Sequence, residues 1–288
     1  MANIKNSKYF IGITWFLLSL VISNVNDIIM KHLGADIHPM QVAFYRFFFG
    51  TLSLLPLMLY FGKSSFKTSR YYIHIARGLL LFLGISIWCF GLSIVPITTA
   101  TILTFTIPLF VLMMAPIFLG EKVSTELWLV TLLGFVGVLI VFNPFGTAFQ
   151  PISLIMLISS VMFASLDIIN KKFVASESML SMLFYSALVT TLLSIYPAML
   201  YWKEIGLNQL AMLAVIGVFS NLILFCLLKG FALVNASAVA PYRYLELVLS
   251  GVFGYVIFSE IPEITMYVGA AIIIPTTFYV GYKQMKWS

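Results

Sequence analysis

Long apolar runs follow one another along the whole chain, separated by glycine, proline, asparagine or small clusters of charge. A membrane-spanning helix needs about 20 mostly apolar residues. The runs lack the alternation of apolar and polar residues that strands of a membrane barrel require. The pattern therefore predicts an all-α polytopic membrane protein with ten transmembrane helices. They are residues 9–31, 39–61, 72–94, 97–119, 126–143, 152–172, 179–201, 209–231, 236–258 and 264–282.

The first run follows Lys5 and Lys8, as the apolar part of a signal peptide would. It continues as far as Met30, however, and no small-residue cleavage site closes it. We therefore expect it to remain in place as the first spanning helix.

Composition supports a membrane protein and excludes other classes. The 288 residues are 61% hydrophobic and only 9% charged, whereas a soluble domain carries about 25% charged residues. A soluble enzyme, a disordered chain and a disulfide scaffold are all excluded by these values. The net charge of +6 is spread along the chain, so it forms no basic patch for nucleic acid. The lipid bilayer is the expected environment.

The lysine and arginine residues of the short loops lie mostly on one side of the predicted spans. Ten of them share the side of the N-terminus: Lys5, Lys8, Lys63, Lys67, Arg70, Lys122, Lys171, Lys172, Lys283 and Lys286. The opposite side holds Lys31 and Lys203. Because cytoplasmic loops carry the excess of basic residues, both termini are predicted to be cytoplasmic.

The sequence repeats itself with a shift of about 140 residues. Residues 26–31 read NDIIMK, and residues 166–171 read LDIINK. A shift of 139 aligns the turn that ends at Glu121 with the turn that ends at Glu260. Chance similarity among leucine-rich and isoleucine-rich helices is the alternative explanation.

This repeat predicts two units of five helices each, residues 1–146 and 147–288. Since five is an odd number, the second unit must lie upside down relative to the first. Inverted repeats are typical of secondary transporters, whose substrate sites lie near the middle of the membrane between the repeats.

Seven ionisable residues fall inside the predicted spans, where each costs roughly 2.5–3.5 kcal/mol on insertion scales. They are Asp27, Arg46, Arg77, Asp167, Lys229, Arg243 and Glu246. We expect Arg77, close to the end of its span, to extend to the membrane surface. Arg46 and Arg243 lie too deep for that, which favours a polar cavity that binds a charged substrate.

Local ion pairs that ease insertion are the other explanation for these charges. Asp27 and Asp167 each precede a lysine by four residues, and Glu246 follows Arg243 by three. Both spacings place the two side chains on the same face of a helix.

Aromatic residues accompany the charges. Tyr45 precedes Arg46, and Tyr242 and Tyr244 flank Arg243 just after Pro241, whose missing N–H loosens a helix. Trp88 and Tyr185 lie on neighbouring spans. The candidate substrate-binding residues are Asp27, Tyr45, Arg46, Trp88, Asp167, Tyr185, Tyr242, Arg243, Tyr244 and Glu246.

Catalytic and cofactor motifs are missing from the sequence. His32, His38 and His74 have no metal-ligand spacing to other ligating residues, and the chain has no phosphate-binding lysine loop. We therefore expect neither an enzyme nor a bound cofactor or metal.

Several stretches give the chain a family resemblance that extends over both units. They are AFYRFFFG (43–50), DIINKKFV (167–174), ESMLSMLFYSA (177–187), APYRYLELVLSG (240–251) and IIIPTT (272–277). With the ten predicted helices and the glutamate turns, they resemble the EamA-type drug/metabolite transporter superfamily. Within it they are most similar to the S-adenosylmethionine uptake transporters of obligate intracellular bacteria such as rickettsiae.

The resemblance implies an inner-membrane carrier that imports S-adenosylmethionine by alternating access, in exchange for S-adenosylhomocysteine or without exchange. Arg46 or Arg243 would then bind the carboxylate, and Asp27, Asp167 or Glu246 the ammonium. Trp88 and the tyrosines would stack on the adenine and face the sulfonium.

Rival functions within and outside the superfamily stay open from the sequence. One is transport of amino acids or other small metabolites. A non-transporting membrane protein and a channel are others. The sequence is compatible with a monomer or a homodimer.

Overall fold

A computed structural model describes residues 2–33, 37–92, 103–142, 155–259 and 264–287. Helices are the regular elements throughout these ranges. They are α1 Ala2–Leu33, α2 Pro39–Tyr60, α3 Tyr71–Leu92, α4 Ile107–Leu119, α5 Thr125–Phe142, α6 Ile155–Phe173, α7 Met179–Leu200, α8 Leu207–Leu233, α9 Leu245–Phe258 and α10 Ile264–Trp287. Each predicted span overlaps one of these helices. Residues 93–94, 97–102, 143 and 152–154 of the predicted spans lie outside the described ranges.

Five of the described helices are long and apolar enough to cross a membrane. Their spanning portions are Ser7–Ile29, Pro39–Tyr60, Tyr71–Trp88, Met179–Leu200 and Leu207–Leu233. The described apolar parts of α4, α5 and α10 are shorter, 10–17 residues. The protein is therefore an all-helical membrane protein with several spans.

Short contacts between helix ends define two faces of the molecule. Lys171, near the end of α6, donates hydrogen bonds to the carbonyl oxygens of Phe231 and Val234 at 2.7 and 2.8 Å. Glu121 accepts one from the amide of Ala236. We call this end of the molecule the Glu121 face. At the other end, the side chain of Gln41 bonds to the main chain of Lys203, and we call that end the Lys203 face.

Helices of residues 1–146 pack mainly against helices of residues 147–288. Helix α1 packs on α8 and α3 on α6, α2 packs on both α7 and α8, and α3 also packs on α7. Helix α5 packs on α10. Thr51 of α2 and Thr191 of α7, which are 140 positions apart, approach each other directly, with 3.3 Å between their hydroxyl oxygens.

Two glycines allow the α2–α8 and α3–α7 pairs to cross closely. A Cβ on Gly217 would lie 2.8 Å from the Arg46 carbonyl oxygen, and one on Gly78 would lie 3.3 Å from the Ser186 carbonyl oxygen. Ser186 occupies the position of Arg46 under the 140-residue shift. The two crossings therefore use matching positions of the repeat.

The ninth predicted span is not one continuous helix. A one-turn helix, Ala236–Val239, is followed by a 3-10 segment, Ala240–Tyr244, before α9 begins. Pro241 stands at the start of that segment, where it cannot donate the hydrogen bond that an α-helix would need. The loosening that the sequence indicates at Pro241 is thus present, and it places Arg243 on irregular backbone.

Replacing Gly217 by alanine should separate α2 from α8. The new methyl group would also lie 2.8 Å from the Gly50 nitrogen, and such overpacking costs about 1–3 kcal/mol. We expect Gly217→Ala to lower the melting temperature of the purified protein in detergent. Gly206→Ala is the control, because its Cβ would meet nothing closer than 3.9 Å. Equal melting temperatures for both variants would contradict the close crossing.

Candidate functional site

Five of the seven charges predicted inside the spans come together between the two faces. Arg243, on the irregular segment before α9, donates from Nη2 to the Asp167 carboxylate on α6. Asp167 is 5% exposed. A lone carboxylate would be costly at this depth, so the paired guanidinium explains how it is accommodated.

A second group of charges extends this pair towards the Lys203 face. Asp27 of α1 interacts electrostatically with Glu246 of α9 and with Arg46 of α2. Glu246 in turn interacts with Arg243 and with the hydroxyl of Ser23 on α1. These contacts join five charged side chains from five elements. We call them the central charge cluster: Asp27, Arg46, Asp167, Arg243 and Glu246.

The central charge cluster contains three carboxylates and two guanidiniums, so its formal charge is −1. Arg46 is oriented by Ser220 of α8, whose hydroxyl oxygen accepts a hydrogen bond from Arg46 Nε at 2.5 Å. Charges of both signs held in one site suit a ligand that itself carries both signs.

The two aspartates related by the repeat have different surroundings. Asp167 is buried, whereas Asp27 is exposed. Because Asp27 also interacts with Arg46 and Glu246 on other helices, the space to which it is exposed lies between helices. The cluster is therefore accessible near Asp27 and closed near Asp167.

The other members of the cluster have no charged counterpart in the other copy of the repeat. The 140-residue shift aligns Arg46 with Ser186, and the 139-residue shift aligns Arg243 with Thr104 and Glu246 with Ile107. The aspartates are thus duplicated, whereas both arginines and the glutamate occur in one unit only.

Asp167 and Lys171, one helical turn apart, do not form the local ion pair that their spacing allows. Asp167 instead pairs with Arg243, and Lys171 binds the carbonyl oxygens at the end of α8. The other lysine of this pattern, Lys31, has its side chain outside the described part of the chain.

Two of the candidate tyrosines belong to the same irregular segment as Arg243. The hydroxyl of Tyr242 lies 3.3 Å from the hydroxyl of Tyr9 on α1. Tyr244 is fully buried against Gly134 and Phe105. Its hydroxyl has no hydrogen-bond partner among the described residues.

The remaining aromatic candidates lie in other surroundings. Tyr45 packs against Trp202 of the α7–α8 loop, with ring centroids 5.5 Å apart. Tyr185 donates a hydrogen bond to the Phe66 carbonyl oxygen at 2.7 Å. Trp88 packs beside Met156. The described contacts of these three residues do not include members of the central charge cluster.

The prediction that Arg77 extends to the membrane surface is wrong. Arg77 is fully buried, and it donates to Asn170 Oδ1 at 2.8 Å and to the Met182 carbonyl oxygen at 2.6 Å. It thereby joins α3 to α6 and α7. Lys229 lies with its ammonium 5.4 Å from the Phe225 ring, one turn earlier on its own helix.

Sequence reasoning missed Ser23, Ser220 and Asn170, which hold charged side chains in place. Ser220 is 174 positions from the arginine that it contacts, and Asn170 is 93 positions from Arg77. Only the packing of distant helices identifies such polar partners, although Asn170 does stand three residues after Asp167.

Comparison with known proteins settles the family. The family model described as EamA-like transporter family matches the chain twice, at residues 10–143 and 150–282. The chain belongs to the EamA-like transporter family. It is therefore a transporter rather than an enzyme.

Curated relatives agree with this assignment, and a solved structure shares the fold. An S-adenosylmethionine uptake transporter of Rickettsia bellii is 52% identical over 278 residues, covering 96% of each chain. A riboflavin transporter of Brucella anthropi is 29% identical and covers 83% of this chain and 86% of its own. A solved crystal structure matches with a TM-score of 0.83 at 17% identity, over 97% of this chain and 98% of its own, which shows a shared fold.

Removing one partner of the Arg243–Asp167 pair should be more damaging than removing both. Asp167→Asn leaves the guanidinium without its carboxylate, which we expect to lower the free energy of unfolding by about 3 kcal/mol. Adding Arg243→Gln to that variant should restore part of the loss. Thermal unfolding of the parent, both single variants and the double variant measures the coupling. Strictly additive effects would contradict the pair.

Proposed function

We propose that this EamA-family transporter imports S-adenosylmethionine across a bacterial inner membrane. One observation carries the proposal, namely 52% identity over 96% of the chain to the S-adenosylmethionine uptake transporter of Rickettsia bellii. Identity at that level over both chains supports a common substrate. The more distant riboflavin transporter relative covers the same fold at 29% identity, which is compatible with a different solute.

The central charge cluster supports this substrate on chemical grounds. S-adenosylmethionine carries a carboxylate, an ammonium and a sulfonium, so its net charge is +1. The cluster has a formal charge of −1 and presents both guanidiniums and carboxylates. A bound substrate would therefore leave the site electrically neutral, which lowers the cost of charge within the membrane.

The observed contacts favour different roles for the charged residues. Arg243 pairs with the buried Asp167. Arg46 interacts with the exposed Asp27 and is the candidate for the substrate carboxylate, which a guanidinium binds with two hydrogen bonds. Asp27 is the exposed carboxylate of the cluster and would meet the ammonium or the sulfonium. Glu246, between Asp27 and Arg243, would complete the negative side of the site.

The aromatic candidates make fewer contacts with the central charge cluster than its charged members make with one another. Tyr242 lies on the irregular segment with Arg243, but it is 6% exposed and its hydroxyl faces that of Tyr9. Its ring could therefore reach the adenine or the sulfonium only after that segment moves. Tyr244 is packed in the protein core. Tyr45, Trp88 and Tyr185 could bind substrate only after the helices rearrange.

We propose further that the transporter consists of ten transmembrane helices in two inverted repeats, residues 1–146 and 147–288, and works by alternating access. Several observations support this arrangement. The family model matches twice, and Thr51 contacts Thr191, its counterpart under the 140-residue shift. Helix α1 starts at the Glu121 face, where Tyr9 meets Tyr242, whereas α6 ends there at Lys171.

The Glu121 face is proposed to be cytoplasmic, with both termini on that side, because most loop lysines and arginines lie there. S-adenosylmethionine would enter with one positive charge. An inside-negative potential of 100 mV favours that movement by about 2.3 kcal/mol. Exchange for S-adenosylhomocysteine, whose net charge is zero, would keep this driving force.

Uptake of labelled S-adenosylmethionine tests the function directly. Cells of a heterologous bacterium that express the chain should accumulate the label well above cells with an empty vector. Excess unlabelled S-adenosylhomocysteine should compete, whereas free amino acids should not. If correctly inserted protein gives no uptake above the empty-vector cells, the proposed substrate is wrong.

Asp27→Asn should weaken substrate binding without affecting insertion. Losing the charge that faces the substrate removes a charge-assisted interaction worth about 1.5–3 kcal/mol, so the KM for uptake should rise about tenfold or more. Glu204→Gln is the matched control, because Glu204 is an exposed acidic residue in the α7–α8 loop at the Lys203 face. A KM for Asp27→Asn equal to that of the control would remove Asp27 from the site.

A further inference from the structure

The chain between α8 and α9 is buried although it is irregular. We call residues 234–244 the connecting segment. Residues 236–240 are each at most 3% exposed, and the 3-10 part packs against α4, α5, α9 and α10. Buried backbone of this kind needs polar partners from elsewhere in the protein.

Glu121 supplies partners to the beginning of the connecting segment. Its two carboxylate oxygens accept hydrogen bonds from the amides of Ala236 and Ser237, both at 2.9 Å. The hydroxyl of Ser237 donates to the same carboxylate at 2.5 Å. Glu121 comes from the turn between α4 and α5, so these bonds cross from one repeat unit to the other.

Lys171 supplies hydrogen-bond donors to the end of α8, which directly precedes the connecting segment. Its ammonium binds the carbonyl oxygens of Phe231 and Val234 and interacts electrostatically with Glu121. One turn earlier on the same helix, Asp167 binds Arg243 of the connecting segment. Three charged side chains thus hold the segment near both of its ends.

The connecting segment lies on the closed side of the central charge cluster. Its Arg243 pairs with Asp167 of the cluster, and its first residues bind Lys171 and Glu121 at the Glu121 face. Asp27, at the other side of the cluster, is exposed. A solute bound at the cluster is thus separated from the Glu121 face by this segment.

We propose that Glu121 and Lys171 are positioning residues that hold the connecting segment as the closed gate on the Glu121 face. This rests on the proposed transport function. Release of the substrate towards that face requires the hydrogen bonds of Glu121 and Lys171 to the main chain to break. Apart from the bond to the Ser237 hydroxyl, these contacts join a side chain to the backbone, so they can break while α6 and α8 stay intact.

Cysteine labelling of the buried segment tests the gate without relying on the substrate. Ala240, which is 3% exposed, is replaced by cysteine in a background with Cys89→Ser and Cys226→Ser. A maleimide then labels the purified protein in detergent. In a second variant, Glu121→Gln keeps the shape of the side chain but removes its charge. The labelling rate of Ala240→Cys should rise at least about tenfold when Glu121→Gln is added, because charge-assisted hydrogen bonds are lost.

Two comparisons separate gating from general loosening. Glu126→Gln changes an acidic residue at the same face that pairs with Lys283, and it should leave the labelling rate unchanged. Lys171→Gln should raise the rate as Glu121→Gln does, and it replaces that variant if the latter fails to fold. In uptake assays, Glu121→Gln should change the maximal rate several-fold and the KM by less than about twofold, since the binding residues stay in place.

Equal labelling rates for the parent, Glu121→Gln and Lys171→Gln would overturn the proposed gate. An equal rise with Glu126→Gln would overturn it as well, because that result indicates nonspecific loosening. If S-adenosylmethionine is not taken up but labelling responds as described, the proposed substrate is wrong and the gate stands.

Discussion

The cost of placing charge within a membrane governs this structure. An ionised side chain there needs a partner of opposite sign or a dense set of hydrogen bonds. Asp167 and Arg77 each obtain such partners from other elements. The charged side chains are therefore drawn together from different helices into one cluster. Arg77 meets the same requirement in another way, through a side-chain amide and a main-chain carbonyl oxygen. The cost of burying charge thus explains both the packing of Arg77 between helices and the formation of the central charge cluster.

Much of the helical architecture could be predicted from the sequence, because the length of an apolar run is a local property. The positions of the described helices and the break at Pro241 follow from neighbouring residues. The partners of the buried charges do not. Asp167 has a lysine one turn away, yet it binds an arginine 76 positions distant. Lys171 is instead required by the carbonyl oxygens that α8 leaves unpaired at its end, and only the folded arrangement of the helices reveals that demand.

The same limit explains why three of the aromatic candidates lie away from the charged ones. A charge within the membrane has few acceptable surroundings, so its presence alone points to the interior. A tyrosine or a tryptophan can face lipid, pack in the core or bind a loop carbonyl oxygen, and the sequence does not distinguish these environments. Tyr185 illustrates this, since its hydroxyl binds the main chain of Phe66 although it aligns with Tyr45 beside Arg46.

The two repeat units contribute different residues to the central charge cluster, so its two sides are chemically different. Two units with identical residues would surround a solute with equivalent groups, and an asymmetric molecule could then bind in either of two opposed poses. Only the aspartates are duplicated here, whereas Arg46, Arg243 and Glu246 each occur once. In the proposed site the two ends of a bound molecule would therefore meet different chemistry, which would favour a single orientation on entry. A carrier built from two similar units would in this way still distinguish the two ends of its substrate.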